Sequence, residues 1–393
     1  MSFTTRHSAD ELRILVAPDS FKGSLDAIEA AACMARGIAR MLPGCSITQL
    51  PIADGGEGSA EVVSSALDGQ WASLEVTDGN GEPRVVAYAS CRDSSIGAFA
   101  ILDVASIVGL PHARIAPQLR TTRGIGEALR LLHERGERTI VLGLGGTATM
   151  EAGSGLLSEV ALHFYDAQGR SFHPTFDTLD QITQVDRRTD HHWLSELRLI
   201  ALTDVESPLT GPKGASMVFG AQKGFTNLSS ADRCLGRFAE RCEAFWGAGY
   251  SAAAGAGAAG GLGFALALLG AELQPGATFI SDCLALPKRM ADFDWVITGE
   301  GCSDRQTLLG KGPAHIAALA QTQGVPVSLL SGAIQDAQDL EGLFDGCFSI
   351  VPHPSPLAFA IANAAELLEQ ASSHLASFYG AVHRHSRQAR SLP

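Results

Sequence analysis

At both ends of this 393-residue chain, short apolar runs alternate with segments of helical period, and no other feature constrains the fold as strongly. The run LRILVA from Leu12 is closed by Pro18, and Leu25, Ile28, Ala32 and Ile38 then recur at helical spacing, so a strand leads into a helix. A second β-type stretch from Ile47 ends in Asp54-Gly55-Gly56-Glu57-Gly58 before another helical segment. Towards the C-terminus the pattern returns: DWVITGEG from Asp294, a helix through AHIAALAQ, PVSLLSG from Pro326, CFSIV from Cys347, and a final helix rich in Ala and Leu. Consecutive parallel strands need crossover helices, so this alternation predicts an α/β fold with a mostly parallel, doubly wound sheet covered on both faces.

The middle of the chain reads differently. LEVTDGNGEPRVVAYAS carries Asp78-Gly79 and Asn80-Gly81 turns between alternating residues, the signature of a hairpin. A second mixed α/β domain inserted into the first explains this with the fewest assumptions, and the expected division is 1–70 with 283–393 against 71–282. The weakly polar run from Ser251 to Ala271 approaches membrane-spanning length, but its first half is Ala and Gly, which predicts a Gly-rich loop feeding a buried helix. Gly255–Gly261 formally contains GxGxxG. With no preceding strand in a βαβ frame and no acidic residue about twenty positions on, it lacks the context of a dinucleotide site, and a nicotinamide dehydrogenase is the weakest reading.

Composition narrows the function classes. With 46% hydrophobic and 18% charged residues the chain can bury a large core. A formal charge of −13 without any Lys/Arg cluster argues against nucleic-acid and anionic-membrane partners. An anionic small-molecule substrate then needs a local exception, supplied by a few lysines, helix N-termini and a divalent cation. The eight cysteines are dispersed without zinc spacing, and MSFTTRHSADE has no apolar signal core, so a cytoplasmic protein with reduced thiols is expected. A homo-oligomer is compatible with all of this.

Ligands of open parallel sheets bind at the carboxyl ends of the strands. There the sequence places Asp19, Ser20, Lys22 and Ser24 after the first strand, Asp54 and Glu57 after the second, and Glu300, Ser303, Asp304 and Lys311 after the strand at Trp295. Carboxylates that hold a cation, ammonium groups that neutralise phosphate and a carboxylate that takes a hydroxyl proton are the parts of magnesium-assisted phosphoryl transfer. Taken singly, Asp19 and Ser20 also read as helix caps, Asp54 as a turn residue and Lys311 as a solvated lysine. TIVLGLGGTATMEAGSG from Thr139 is a strand entering a glycine-rich turn through Gly143, Gly145, Gly146 and Thr147; it suits either phosphate approach or tight αβ packing. A long Gly/Pro-punctuated stretch, Asp204 to Gly224, holds Glu206, Lys213, Gln222 and Lys223. No Walker, HExxH, GxSxG or protein-kinase signature occurs.

Seven collinear blocks extend the reading. LVAPDSFKGSL from Leu15, PIADGGEG from Pro51, LGLGGTAT from Leu142, DVESPLTGPKGASMVFGAQKG from Asp204, GAGAAGGLGFALALLGAELQPG from Gly255, ITGEG with DRQTLLGKGP from Ile297 and NAAELL from Asn363 resemble the type I glycerate kinases in content, order and spacing. The resemblance implies a flavodoxin-like domain built from both chain ends, an inserted second domain, and an active site between them. It also implies ATP and Mg2+ as cosubstrates, D-glycerate as acceptor and 2-phospho-D-glycerate as product. The matching residues are Asp19, Ser20, Lys22, Asp54, Glu57, Gly145, Gly146, Thr147, Asp204, Gln222, Lys223, Glu300, Asp304, Gln306, Thr307 and Lys311. Asp204 and Asp304 are expected as base or metal anchor, and Lys22 and Lys311 as phosphate or carboxylate contacts. Several places depart from the family pattern: Met150-Glu151-Ala152-Gly153 for Asn-Asp-Gly-Gly, Cys302-Ser303 for an Arg-containing pair, Glu206-Ser207-Pro208 for Asp-Asn-Pro, and a stretch around Thr121-Thr122-Arg123-Gly124 that is about one residue shorter. Losing an amide and a guanidinium bears on substrate identity. Alternatives are a kinase of the same fold for another short hydroxy acid, such as a C4 sugar acid, and a catalytically inactive metabolite sensor.

Overall fold

A computed structural model describes residues 11–305, 307, 312–335, 337–340 and 342–390. The chain divides into two compact units, one running to Ala53 and resuming at Ile280, the other spanning Asp54–Phe279. The first begins with β1 (Arg13–Val16), α1 (Ala27–Met41) and β2 (Ser46–Gln49). Asp26 and Glu29 close a capping box that starts α1, the carboxylate of Asp26 accepting the Glu29 N–H at 2.7 Å.

The second unit opens at the Asp54–Gly58 turn and α2 (Ser59–Ala66). β3 (Gln70–Thr77) and β4 (Pro83–Asp93) form the hairpin that the Asp-Gly and Asn-Gly pairs predict, and Asp78 fixes its turn by accepting the N–H groups of Asn80 and Glu82. Next come β5 (Gly97–Asp103), α3 (Ala105–Val108), α4 (Arg123–Glu134), β6 (Thr139–Gly143) and α5 (Ser154–Val160). A small antiparallel sheet of β7 (Leu162–Tyr165), β8 (Ser171–Phe172) and β9 (Gln184–Arg187) follows. β10 (Arg198–Leu202), α6 (Ala215–Phe219), α7 (Leu228–Trp246), α8 (Ala258–Leu268) and β11 (Glu272–Gln274) complete the unit. The main sheet has the order β11-β10-β6-β5-β4-β3, with β5, β6, β10 and β11 mutually parallel. Segment 54–70 packs here, α2 lying against β4 and β5, so the division falls at 53/54 rather than at 70/71. α8 is buried, as the Ala/Gly-rich run predicts, and no helix among the described residues is long and apolar enough to cross a membrane.

α9 (Gly276–Cys283) leads back to the first unit, which adds α10 (Leu286–Arg289), β12 (Trp295–Ser303), α11 (Gly312–Thr322), β13 (Val327–Ile334), α12 (Ala337–Leu340), β14 (Gly346–Ser349), α13 (Leu357–Ala362) and α14 (Ala364–Arg390). Its sheet is wholly parallel in the order β14-β13-β12-β1-β2. Counted within the unit this is 2-1-3-4-5, the flavodoxin-like winding, whose order reverses between β1 and β12. Ile14, Val16, Ile297 and Leu330 meet Met34 and Ile38 of α1 and Leu368 of α14 in one core, and Trp295 stacks on Tyr379 at 4.1 Å.

Candidate active site

In the second unit, the parallel strands β5, β6, β10 and β11 all end at one edge, and backbone segments meet there without side chains between them. A Cβ on Gly145 would stand 2.5 Å from the Cα of Gly56, and one on Gly276 would stand 2.4 Å from the Cα of Gly55. Such distances are below van der Waals contact, so this junction accepts glycine alone. Gly55 also has φ +83°, the left-handed conformation that turns the chain after Asp54. Asp54 Oδ1 accepts the Gly56 N–H at 3.1 Å, and Asp204 Oδ1 accepts the Gly276 N–H at 2.8 Å. Two candidate carboxylates are thereby oriented at the strand ends, and the Asp54–Gly58 turn also carries the exposed Glu57.

The glycine-rich turn after β6 is held from behind. Lys223 is buried, and its Nζ donates to Thr147 O and Thr147 Oγ1 at 2.8 Å each and to Thr149 O at 3.0 Å. Arg120 Nη1 adds bonds to Ala148 O at 3.0 Å and Lys223 O at 3.1 Å. Burial, with Arg120 beside it, pushes the Lys223 ammonium down to about 7 although Glu151 pulls it the other way. The Gly145 N–H is directed at Gly55 O at 3.4 Å, Gly146 is exposed, and Thr147 is buried. This turn thus realises the tight packing that its glycines allow. Gln222, next to Lys223, is exposed.

In the first unit, β1 and β12 bring a second group together. The Asp19 N–H bonds Gly299 O at 2.8 Å, and a Cβ on Gly301 would lie 3.1 Å from Lys22 N, so the loop Asp19–Lys22 lies against the Gly299–Gly301 stretch. Ser20 N–H points back to Asp19 Oδ1 at 2.6 Å, and Asp19 Oδ2 would be 3.1 Å from a Cβ on Gly312 at the start of α11. Lys22 is exposed. Glu300 Oε1 accepts the hydroxyls of Thr307 at 2.7 Å and Ser303 at 2.9 Å, and Thr307 Oγ1 accepts the Asp304 N–H at 3.1 Å. Glu300, Asp304 and Thr307 therefore form one hydrogen-bonded group. Gln306 and Lys311 lie outside the described residues.

The departures from the family pattern have distinct environments. Met150 is completely buried in the core of the second unit. Glu151 is also buried; it accepts Thr122 N–H at 2.9 Å, Ser154 Oγ–H at 2.8 Å and Gly155 N–H at 3.3 Å, and burial raises its carboxyl above the usual range against these bonds. It ties the start of α5 to the start of α4. Cys302 is exposed at the end of β12, while Ser303 is buried within 3.0 Å of Ser331 Oγ. Among the described residues no group of three or more His, Cys, Asp or Glu could hold a metal ion.

Sequence reading passed over Asp103 and Arg120. Asp103 ends β5 and accepts Gly58 N–H at 2.9 Å and Ala60 N–H at 3.1 Å. Its signal was an acidic residue closing FAILD, the same strand-end position that singled out Asp19 and Asp54.

Comparison with known proteins agrees with this architecture. The model of the glycerate kinase family matches residues 14–380. A Bacillus subtilis protein named glycerate kinase is 36% identical over 376 residues, covering 93% of this chain and 97% of its own length. An Escherichia coli protein named glycerate 2-kinase is 32% identical over 374 residues, covering 93% and 97% respectively. A crystal structure from Salmonella typhimurium LT2, with a provisional assignment as glycerate kinase 2, has a TM-score of 0.80 at 33% identity over 95% of this chain and 100% of that one. With a family match along almost its whole length and relatives above 30% identity, this chain belongs to the glycerate kinase family and is a kinase.

Proposed function

We propose that the protein transfers the γ-phosphate of ATP to D-glycerate and that the product is 2-phospho-D-glycerate. The observation that carries this reading is the pair of oriented carboxylates, Asp54 and Asp204, at the strand ends where glycines let the backbone segments meet directly. The Escherichia coli relative named glycerate 2-kinase supports the hydroxyl assignment.

Phosphoryl transfer asks a protein mainly to position reactants and to balance charge. Asp204, whose Oδ1 is fixed by Gly276 N–H, and Asp304, whose N–H is fixed by Thr307, are the proposed base and metal anchor. A catalytic Mg2+ is carried largely by nucleotide phosphates and water, with one or two carboxylates from the protein, so a donor set of single aspartates fits it where a three-carboxylate cage would not be needed. When bound, the ion neutralises charge on the phosphates. Lys22 and Lys311 are the proposed cationic contacts to phosphate or substrate carboxylate, Asp19, Ser20, Glu57, Gly145, Gly146, Gln222, Gln306 and Thr307 are proposed to shape the nucleotide and glycerate sites, and Glu300 positions Thr307. Lys223 and Thr147 support the glycine-rich turn, because the bonding capacity of that ammonium is committed to Thr147 and Thr149. The reading is of a cytoplasmic enzyme, in keeping with eight dispersed cysteines.

ADP release from magnesium-ATP on addition of D-glycerate, beside C4 sugar acids, tests the assignment. Turnover with glycerate is expected. Turnover confined to a C4 acid would move the substrate, and tight binding without turnover would make the protein a sensor. Asp204→Asn and Asp304→Asn should each lower kcat at least 100-fold, and near-normal kcat in both would overturn their roles.

A further inference from the structure

The carboxylate of Asp103 sits at the end of β5 with both oxygens occupied by the segment that follows the Asp54–Gly58 turn. Oδ2 takes the Gly58 N–H at 2.9 Å and Oδ1 the Ala60 N–H at 3.1 Å. These are amides at the start of α2, where residue 58, a glycine at φ +91°, has no side chain with which to cap the helix itself. The left-handed backbone at position 58 rules out the usual Ser, Thr or Asp cap, which needs an extended conformation and reaches only the amides two or three residues on. Here the cap comes instead from residue 103, 45 positions away from Gly58, and it fastens the turn to the strand end. β6 makes room for the arrangement: a Cβ on Gly143 would lie 2.9 Å from Asp103 Oδ1 and 3.1 and 3.2 Å from the carbonyl oxygens of Gly55 and Gly56.

This cap is electrostatically unfavourable compared with a neutral local one. Burial pushes the Asp103 carboxyl up to about 7 despite its two N–H donors, and Glu57 and Glu61, the charges that act on it, add to the rise. On β6 the register partner of Asp103 is the side-chain-free Gly143. A buried carboxylate reaching 45 positions along the chain to hold these two amides departs from local consistency, which is the behaviour of functional positions.

We propose that Asp103 is a positioning residue that sets the placement of Asp54 and Glu57 by clamping their turn to the end of β5. The proposal rests on the kinase reading above. Both N–H groups are matched by an ionised carboxylate, and a proton on either oxygen would turn an acceptor toward a donor. The clamp therefore tightens as Asp103 loses its proton.

The test is Asp103→Asn, which keeps the shape and one acceptor, measured in three ways. In the wild type, kcat/KM should rise with pH through an ionisation near neutrality. In the variant that ionisation should disappear, with a 10- to 100-fold lower plateau carried mainly by kcat. Amide exchange at Gly58 and Ala60 should quicken at least tenfold in the variant, and the thermal midpoint should move little. A variant with unaltered pH profile and kcat, but a lowered midpoint, would make Asp103 merely structural and overturn the proposal, as would unchanged exchange at both amides. If the wild type turns over no hydroxy acid, the functional reading fails; quickened exchange then still records the mechanical clamp, so the two failures are separable.

Discussion

The ammonium of Lys223 donates to both the carbonyl and the hydroxyl oxygen of Thr147 at 2.8 Å, inside the second unit. The family resemblance puts Lys223 among the binding residues, and in the structure its ammonium braces the glycine-rich turn from behind. Lys223→Met removes the donors of three buried acceptors, so it should destabilise the protein by about 3 kcal/mol in urea unfolding. Under conditions where it remains folded, its KM for ATP should stay within threefold while kcat falls. A large rise in KM alone would instead indicate direct phosphate contact.

The same residue predicts a pH dependence of stability. Its folded pKa is depressed from 10.5 to about 7, so the stability it contributes is fully present above 10.5 and is lost as pH falls through 7. Unfolding free energies measured from pH 10 to 6 should fall in the wild type and should fall less in Lys223→Met. Asp103 works in the opposite direction: burial of its charge outweighs its two N–H bonds and raises its pKa from 3.8 to about 7, so its net contribution to stability is greatest below 3.8 and is lost as pH rises through 7, even though those two bonds strengthen on ionisation. Parallel curves for the wild type and Lys223→Met would contradict the assignment.

The glycine junction makes a steric prediction. Gly145→Ala puts a Cβ 2.5 Å from the Cα of Gly56, where only backbone could give way. The Asp54–Gly58 turn must then shift by about an ångström, a misplacement that costs roughly 100-fold in kcat. Steady-state kinetics should show that loss.

Met150 separates packing from specificity. Since its side chain is fully buried, Met150→Asn, which restores the residue usual in the family, buries an amide in an apolar core and should lower stability by about 2 kcal/mol. The KM for glycerate should change less than twofold. A marked improvement in KM would show that position 150 reaches the substrate.

Much of the fold was legible because it is written in local patterns. The strand and helix periods at Leu12–Ile38 and after Asp294, and the Asp-Gly and Asn-Gly pairs after Val76, each act over a few residues, and the observed β1, α1, β12 and hairpin follow them. The junction of Gly55, Gly56, Gly145 and Gly276 was hidden, since it joins positions far apart in the chain and a glycine does not announce its neighbour. Lys223 and Asp103 show the same limit for charges. Residue type does not reveal burial, and burial decides whether a lysine faces a ligand or braces a turn. Asp54 and Glu300 were singled out because strand ends concentrate chemistry, a rule that depends on topology alone.

The most direct test of the central claim is phosphorus NMR of the product formed from magnesium-ATP and D-glycerate by the purified protein. A new phosphomonoester resonance coupled to the C2 proton is predicted, with ADP formed in equal amount. A resonance coupled to the C3 protons would contradict the 2-hydroxyl assignment, and the absence of any phosphorylated glycerate would contradict glycerate as the substrate.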